Sequence, residues 1–126
     1  MATKPIRVLI ADDHRLFAEA LEAILSTDER IAVAGTARDG REAVALADEQ
    51  KPDVILMDIS MPVMDGIEAV EELRRLGVES GILMLTGSNA RNDVDRARQA
   101  GAAGYVTKDR NAAELIDAIV EISGRS

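Results

Sequence analysis

Five short apolar runs alternate with five stretches patterned for helices, and that alternation leaves few folds open. The runs are Ile6–Ala11, Ile31–Ala37, Val54–Met57, Ile82–Leu85 and Gly104–Val106. The first, third and fourth are apolar at nearly every position. A strand covered on one face alternates apolar and polar residues; one covered on both faces reads as a continuous apolar run, as in parallel sheets flanked by helices. Parallel strands need crossovers, and right-handed crossover helices on both faces give a doubly wound α/β fold. The favoured order for five such strands is the flavodoxin-like 2-1-3-4-5.

The helical stretches carry their own start signals. The second opens with Asp39-Gly-Arg-Glu42, the third with Asp65-Gly-Ile-Glu68 and the fifth with Asn111-Ala-Ala-Glu114, each a capping residue with Glu three positions on. Leu16, Phe17, Ala20, Leu21, Ile24 and Leu25 form the expected buried stripe of the first helix. The third buries Ile67, Val70 and Leu73, and the fifth Leu115, Ile116, Ile119 and Val120. Ala118 and Ile122 widen that last stripe, as either an interaction surface or extra cover for the sheet edge. Between Ala90 and Ala100 the fourth helix offers only alanines and Val94. At about 25 cal/mol per Å² of apolar burial it contributes least, so it is expected to be the loosest element. The run Glu68, Glu71, Glu72, Arg74 and Arg75 reads as a solvated face with local ion pairs. Gly66 and Gly104 read as backbone devices.

Composition removes whole classes of function. The 126 residues suit one domain, read as residues 1–126. With 23 acidic residues against 15 basic and a net charge of −8, direct nucleic-acid binding by this segment is not expected. There is no Cys, hence no disulfide, thiolate nucleophile or zinc–thiolate site, and the lone His14 excludes a poly-histidine metal centre. No apolar run approaches the roughly 18 residues of a membrane span. Asp12-Asp13 arrive before a signal-peptide core could form, so a soluble, cytoplasmic protein is expected.

Sites in open parallel sheets lie beyond the carboxyl ends of the strands. Here those ends carry Asp12-Asp13, Asp58, Thr86 and Thr107-Lys108. Any one Asp after a strand could simply cap a helix. Three on adjacent strands are a different matter, because two carboxylates ~4 Å apart repel by ~4 kcal/mol at an effective dielectric near 20. Such a crevice needs a cation or a proton. All-oxygen ligands with open positions suit Mg²⁺. Lys108 adds an ammonium, Thr86 a hydroxyl, and an Asp can itself be a nucleophile toward phosphorus, so the set fits phosphoryl transfer. His14 is read as an exposed helix-start residue rather than a ligand or relay.

The whole chain resembles a response-regulator receiver domain of two-component systems. The resemblance rests on Val8-Leu-Ile-Ala-Asp-Asp-His14, Asp53-Val-Ile-Leu-Met-Asp-Ile-Ser-Met-Pro-Val-Met-Asp-Gly66, Leu83-Met-Leu-Thr-Gly87 and Ala100-Gly-Ala-Ala-Gly-Tyr-Val-Thr-Lys-Asp109, in this order. The first and last are most similar to NarL/FixJ-type receivers, which usually precede a helix-turn-helix DNA-binding domain. The resemblance implies that Asp58 accepts a phosphoryl group from a sensor histidine kinase. It implies Mg²⁺ held by Asp12, Asp13, Asp58 and the backbone carbonyl of Ser60. Thr86, Gly87 and Lys108 would hold phosphoryl oxygens, and Thr86 and Tyr105 would form the switch. It implies no catalysis beyond the domain's own phosphorylation and dephosphorylation. A homodimer would use the helix 4–strand 5–helix 5 face or helices 1 and 5. Ser60 and Ser88, both small, would leave the path of an attacking water open.

One departure stands out. Many receivers have Pro after the lysine, with a cis bond that aims it; here Asp109 follows Lys108. A cis bond without proline costs ~3–4 kcal/mol, so another loop conformation is expected to orient the lysine. Two other functions fit the elements less well. An Asp-nucleophile phosphohydrolase would want Asp at the position of Ser60 and a cap domain. A flavodoxin-type electron carrier would want a hydroxyl- and glycine-rich first loop and stacking aromatics, whereas Phe17 and Tyr105 are the only aromatics. The output is expected to be transcriptional, through a DNA-binding domain outside this chain, with a stand-alone receiver acting through protein contacts as the alternative.

Overall fold

The computed structural model describes residues 4–87 and 91–124, and nothing of the Arg91 and Asn92 side chains. The elements run β1 (Ile6–Ala11), α1 (Arg15–Leu25), β2 (Ile31–Ala37), α2 (Gly40–Gln50), β3 (Val54–Asp58), α3 (Gly66–Arg75), β4 (Gly81–Thr86), α4 (Arg91–Ala100), β5 (Gly104–Thr107) and α5 (Ala112–Ser123). All pairings are parallel and the strand order is 2-1-3-4-5, as the alternation predicts. The register slips once, between Val8 and Leu9 opposite β2. β3, β4 and β5 each end one residue beyond their apolar stretch, and β4 also starts one residue earlier, at Gly81. The ladder is a backbone property and continues through polar side chains, so Asp58 pairs opposite Leu85 and Thr86 opposite Thr107.

Side chains alternate between two cores, one on each face of the sheet, and the slip in β2 changes face, so that Ile31 and Val33 join one core and Ala37 the other. Leu9, Ile55, Met57, Ile82 and Met84 face α2, α3 and α4. Val8, Ile10, Val54, Leu56, Leu83 and Leu85 face α1 and α5. The caps form as their sequences predict. Asp39, Asp65 and Asn111 accept hydrogen bonds from the amides of Glu42, Glu68 and Glu114, and Asp65 with Glu68 closes a reciprocal capping box.

Three expectations need correction. The buried face of α1 is Ala18, Leu21 and Leu25, with Phe17 and Ile24 partly covered; Leu16 is 82% exposed and Ala20 is exposed. At 100° per residue Leu16 lies about 200° round from Ala18, on the far side of the helix. Arg74 is not part of a solvated face. Its guanidinium donates to the carbonyls of Gly101 (2.9 Å) and Val78 (2.8 Å), tying the end of α3 to the turn after α4. Of the two readings open for Ala118 and Ile122, their packing on the α1–α5 core fits cover for the sheet edge. A Cβ at Gly81 would meet Ile122 at 2.4 Å, whereas one at Gly104 finds only ordinary contacts, so the close approach belongs to Gly81. In α4, Val94 and Ala97 are the buried apolar side chains among the described residues, as its composition predicts.

The loop from β3 to α3 contains one conformation that its sequence does not announce. Val63 has φ +69° and the Met64 amide donates to the Pro62 carbonyl at 2.7 Å, a γ-turn of the strained, positive-φ kind. Such a φ is unfavourable for a β-branched residue, and Val63 is 73% exposed with little packing in return. Val63→Asn is expected to stabilise the domain by about 1 kcal/mol, read as a rise of a few degrees in thermal midpoint.

Candidate functional site

The parallel order brings the carboxyl ends of β1, β3, β4 and β5 to one rim. Asp12 is 1% exposed; its amide donates to the Ala37 carbonyl (3.0 Å) and its Oδ1 accepts from the His14 amide (2.8 Å). That tight turn leaves Asp13 exposed beside it. Asp58 is 3% exposed at the end of β3. Its Oδ1 accepts from the Ser60 amide (3.3 Å) and its Oδ2 from Lys108 Nζ (3.2 Å). The chain after Asp58 is pinned on both sides. The Ile59 amide donates to Leu85 O (3.1 Å) and the Gly66 amide to Ile59 O (2.8 Å). A Cβ on Gly66 would stand 2.1 Å from the carbonyl oxygen of Asp58, so the expected backbone role of this glycine is confirmed by contact.

Lys108 lies at the centre. Nζ is 2.9 Å from Asp12 Oδ2, 3.2 Å from Asp58 Oδ2, 3.4 Å from His14 Nδ1 and 4.6 Å from the centroid of the Phe17 ring. No cis peptide occurs among the described residues. Instead the Lys108 amide donates to Thr86 O (2.8 Å), the Arg110 amide to Thr107 O (3.1 Å), and the Thr107 hydroxyl to Asp109 Oδ1 (2.5 Å). This turn sets where the lysine side chain leaves a trans backbone, the different loop conformation that Asp109 predicts.

One ammonium does not balance the site. Burial first, and then the charge of Asp12, push Asp58 up to about 6 against the opposing pull of Lys108 and the Ser60 amide. Burial also opposes the charge on Lys108, but its contacts with Asp12 and Asp58 outweigh that and hold it above its ordinary value. Asp12 Oδ2 is buried without an aligned hydrogen bond, although the ammonium is near. Single ligand atoms of Asp12, Asp13, His14 and Asp58 lie within 4.8 Å of one another. Buried carboxylate charge in excess, together with an under-satisfied oxygen, is the environment a hard divalent cation fits.

The remaining residues of the set fall around this centre. Thr86 is 4% exposed at the end of β4, and its carbonyl accepts the Lys108 amide. Gly87 follows it on an open rim, where an added methyl group would meet nothing within 4 Å. Ser60 is exposed beside Asp58, while Ser88 lies outside the described residues. Tyr105 is 38% exposed on β5 and lines an open groove of about 560 Å³ with Thr107, Arg110 and Glu114. Sequence reasoning missed two neighbours. His14 is exposed as expected, yet its Nδ1 is 3.4 Å from Asp12 and 3.7 Å from Asp13. Phe17, read only as core, also faces Lys108. The available signal was spacing: Phe17 is four residues after Asp13, one helical turn from the acidic pair.

Residues 8–120 match the family model described as response regulator receiver domain. The chain is 38% identical over 115 residues to response regulator protein VraR of Staphylococcus saprophyticus, covering 91% of this chain and 55% of that protein. It is 39% identical over 111 residues to the transcriptional regulatory protein YhcZ of Bacillus subtilis, covering 88% of this chain and 52% of that one. The chain thus spans about half the length of the curated relatives it matches. Among solved structures it is similar to the signal receiver domain of NarL from Mycobacterium tuberculosis, with TM-score 0.94, 32% identity, and coverage of 98% of this chain and 100% of that one. A two-component response regulator of the LuxR family from Aurantimonas gives TM-score 0.90 and 34% identity, with 96% and 86% covered. The strand order, the rim of carboxylates with their lysine, and these matches agree that the chain belongs to the response regulator receiver domain family of two-component systems.

Proposed function

We propose that Asp58 accepts a phosphoryl group from a phosphohistidine of a sensor histidine kinase, in a reaction dependent on Mg²⁺. The observation that carries this reading is a buried carboxylate at a strand end, set beside an ammonium and a second carboxylate. A bond forms from a carboxylate oxygen of Asp58 to phosphorus as the phosphorus–nitrogen bond to the donor imidazole breaks; the imidazole nitrogen takes up a proton. Asp12, Asp13, Asp58 and the carbonyl of Ser60 would hold the Mg²⁺. When bound, the ion supplies positive charge that lets an anionic carboxylate and an anionic phosphoryl group approach. Lys108, Thr86 and the Gly87 backbone hold phosphoryl oxygens. Thr86 and Tyr105 then carry the change to the β5 side, where Tyr105 stands partly exposed.

The domain is residues 1–126, acting in signalling and changing only its own phosphorylation state. The names of its relatives support a transcriptional output exerted through a DNA-binding region of the whole protein, with no nucleic-acid contact by this acidic segment. A homodimer through the α4–β5–α5 face, or through α1 and α5, accompanies that output. No helix among the described residues is long and apolar enough to cross a membrane, and a cytoplasmic location is part of the proposal. The test is incubation with acetyl phosphate and Mg²⁺, read by intact mass. A phosphate-sized gain that maps to Asp58 and disappears with EDTA is expected. No gain, or one that persists in EDTA, would overturn the reading.

A further inference from the structure

Lys108 has a positioning problem that its charged neighbours do not solve. A lysine stem has four rotatable bonds and loses much rotamer freedom when it is held in one place. The carboxylates of Asp12 and Asp58 hold Nζ from two sides, Asp58 through a hydrogen bond at 3.2 Å and Asp12 as an ion pair at 2.9 Å. Those anions are also the groups assigned above to the metal and the phosphoryl group, so their attraction for Lys108 changes as the site fills. The backbone turn at Thr107–Arg110 fixes where the side chain starts, not where it ends.

The Phe17 ring is the neighbour that stays the same. Its centroid lies 4.6 Å from Nζ, within cation–π range. Phe17 belongs to α1, whose first turn follows Asp13, and it packs against the α1–α5 core. With Leu21, Leu85, Val106 and Leu115 it surrounds a small apolar cavity of about 100 Å³ that Lys108 also lines. The lysine stem thus runs over an apolar floor and its head meets a ring face. An uncharged ring does not compete for the site cation and keeps its hold when the carboxylates are neutralised.

We propose that the Phe17 ring is the positioning element for Lys108, fixing its ammonium beside Asp58 without the proline that many receivers place after the lysine. The use of that position in phosphorylation rests on the function proposed above. The geometry also predicts what kind of substitution matters. The electron density of the ring face carries the effect, so equal shape with weaker quadrupole loses it.

The chain contains a single Phe, so growth on fluorinated phenylalanines alters position 17 alone. Protein would be prepared with phenylalanine, 4-fluoro-, 3,5-difluoro- and 3,4,5-trifluorophenylalanine. Two readouts separate the claims. The ¹⁹F resonance of the 4-fluoro protein is expected to move in Lys108→Met, which keeps the apolar stem and removes the ammonium; an unmoved resonance would overturn the contact. The acetyl phosphate rate with Mg²⁺ is expected to fall stepwise along the series, on the order of three- to ten-fold overall, while the thermal midpoint stays within a few degrees. Equal rates across the series would overturn the positioning role. If the unsubstituted protein gains no phosphate, the functional reading fails by itself, and the ¹⁹F shift still decides whether the ring holds the lysine.

Discussion

Replacing Asp58 by Asn should remove the phosphate-sized mass gain altogether and, in the same protein, raise the stability of the metal-free fold. The two effects have one cause. Burial and the charge of Asp12 push the Asp58 carboxyl from 3.8 to about 6. A group whose folded value is raised stabilises while it is protonated. That contribution is fully present below about pH 3.8 and is lost as pH rises through about 6. At pH 7.5 the ionised carboxylate therefore weighs against the fold, by at most about 3 kcal/mol at 1.36 kcal/mol per pKa unit. The pull of Lys108 is already contained in that value, and the amide of Asp58→Asn has its own cost of burial, so a net gain of about 1–2 kcal/mol is expected. Urea midpoints of metal-free protein measure it. The advantage of Asp58→Asn should shrink between pH 7.5 and pH 5, where the native carboxyl takes up its proton. Added Mg²⁺ should narrow the gap from the other side by stabilising the wild type more than the variant. A variant less stable than wild type at pH 7.5 without metal would contradict this account of the site.

Gly66→Ala should do the opposite, unfolding or severely weakening the domain while leaving every charged group in place. A methyl group there would lie 2.1 Å from the Asp58 carbonyl oxygen and 2.9 Å from the Ile59 Cα, both backbone atoms with no rotamer to yield. The Gly66 amide is simultaneously bonded to the Ile59 carbonyl at 2.8 Å, so the helix start cannot back away without losing that bond. Overpacking of this kind typically costs about 1–3 kcal/mol, and a clash with pinned backbone falls at or above the upper end. Chemical denaturation gives the loss. Where the variant still folds, its phosphorylation by acetyl phosphate should fall at least ten-fold, because the displaced atoms are the backbone of Asp58 itself. An alanine variant as stable as wild type would show that the β3–α3 junction has slack that the contact distances deny.

Much of this is legible in the residues. The continuous apolar runs specify strands covered on both faces, and that pattern leads to a parallel sheet and its order. The acidic set is legible because strand ends in such sheets converge, so Asp12, Asp13, Asp58 and Lys108 can be placed together without coordinates. What escapes is rotational. Helix periodicity shows that α1 has an apolar side, but not where its centre points, so Leu16 reads as buried and is exposed. The same ambiguity hides Phe17, since an aromatic at the boundary of a stripe reads as core whether or not a lysine lies over it. Arg74 is hidden because a charged residue in a charged run carries no sign that its fork will meet two backbone carbonyls. Val63 is hidden for the reverse reason: nothing in a valine advertises a positive φ.

The division of side chains between the two faces of the sheet has an evolutionary corollary. The two cores share no packed surface, only the backbone of the strands between them. A volume change among Ile55, Met57 and Ile82 must be answered by α2 and α3, and one among Leu56, Leu83 and Leu85 by α1 and α5. Lineages can therefore drift on one side without compensating on the other, so the helices that meet outside partners can diversify while the opposite half of the domain keeps its own packing intact.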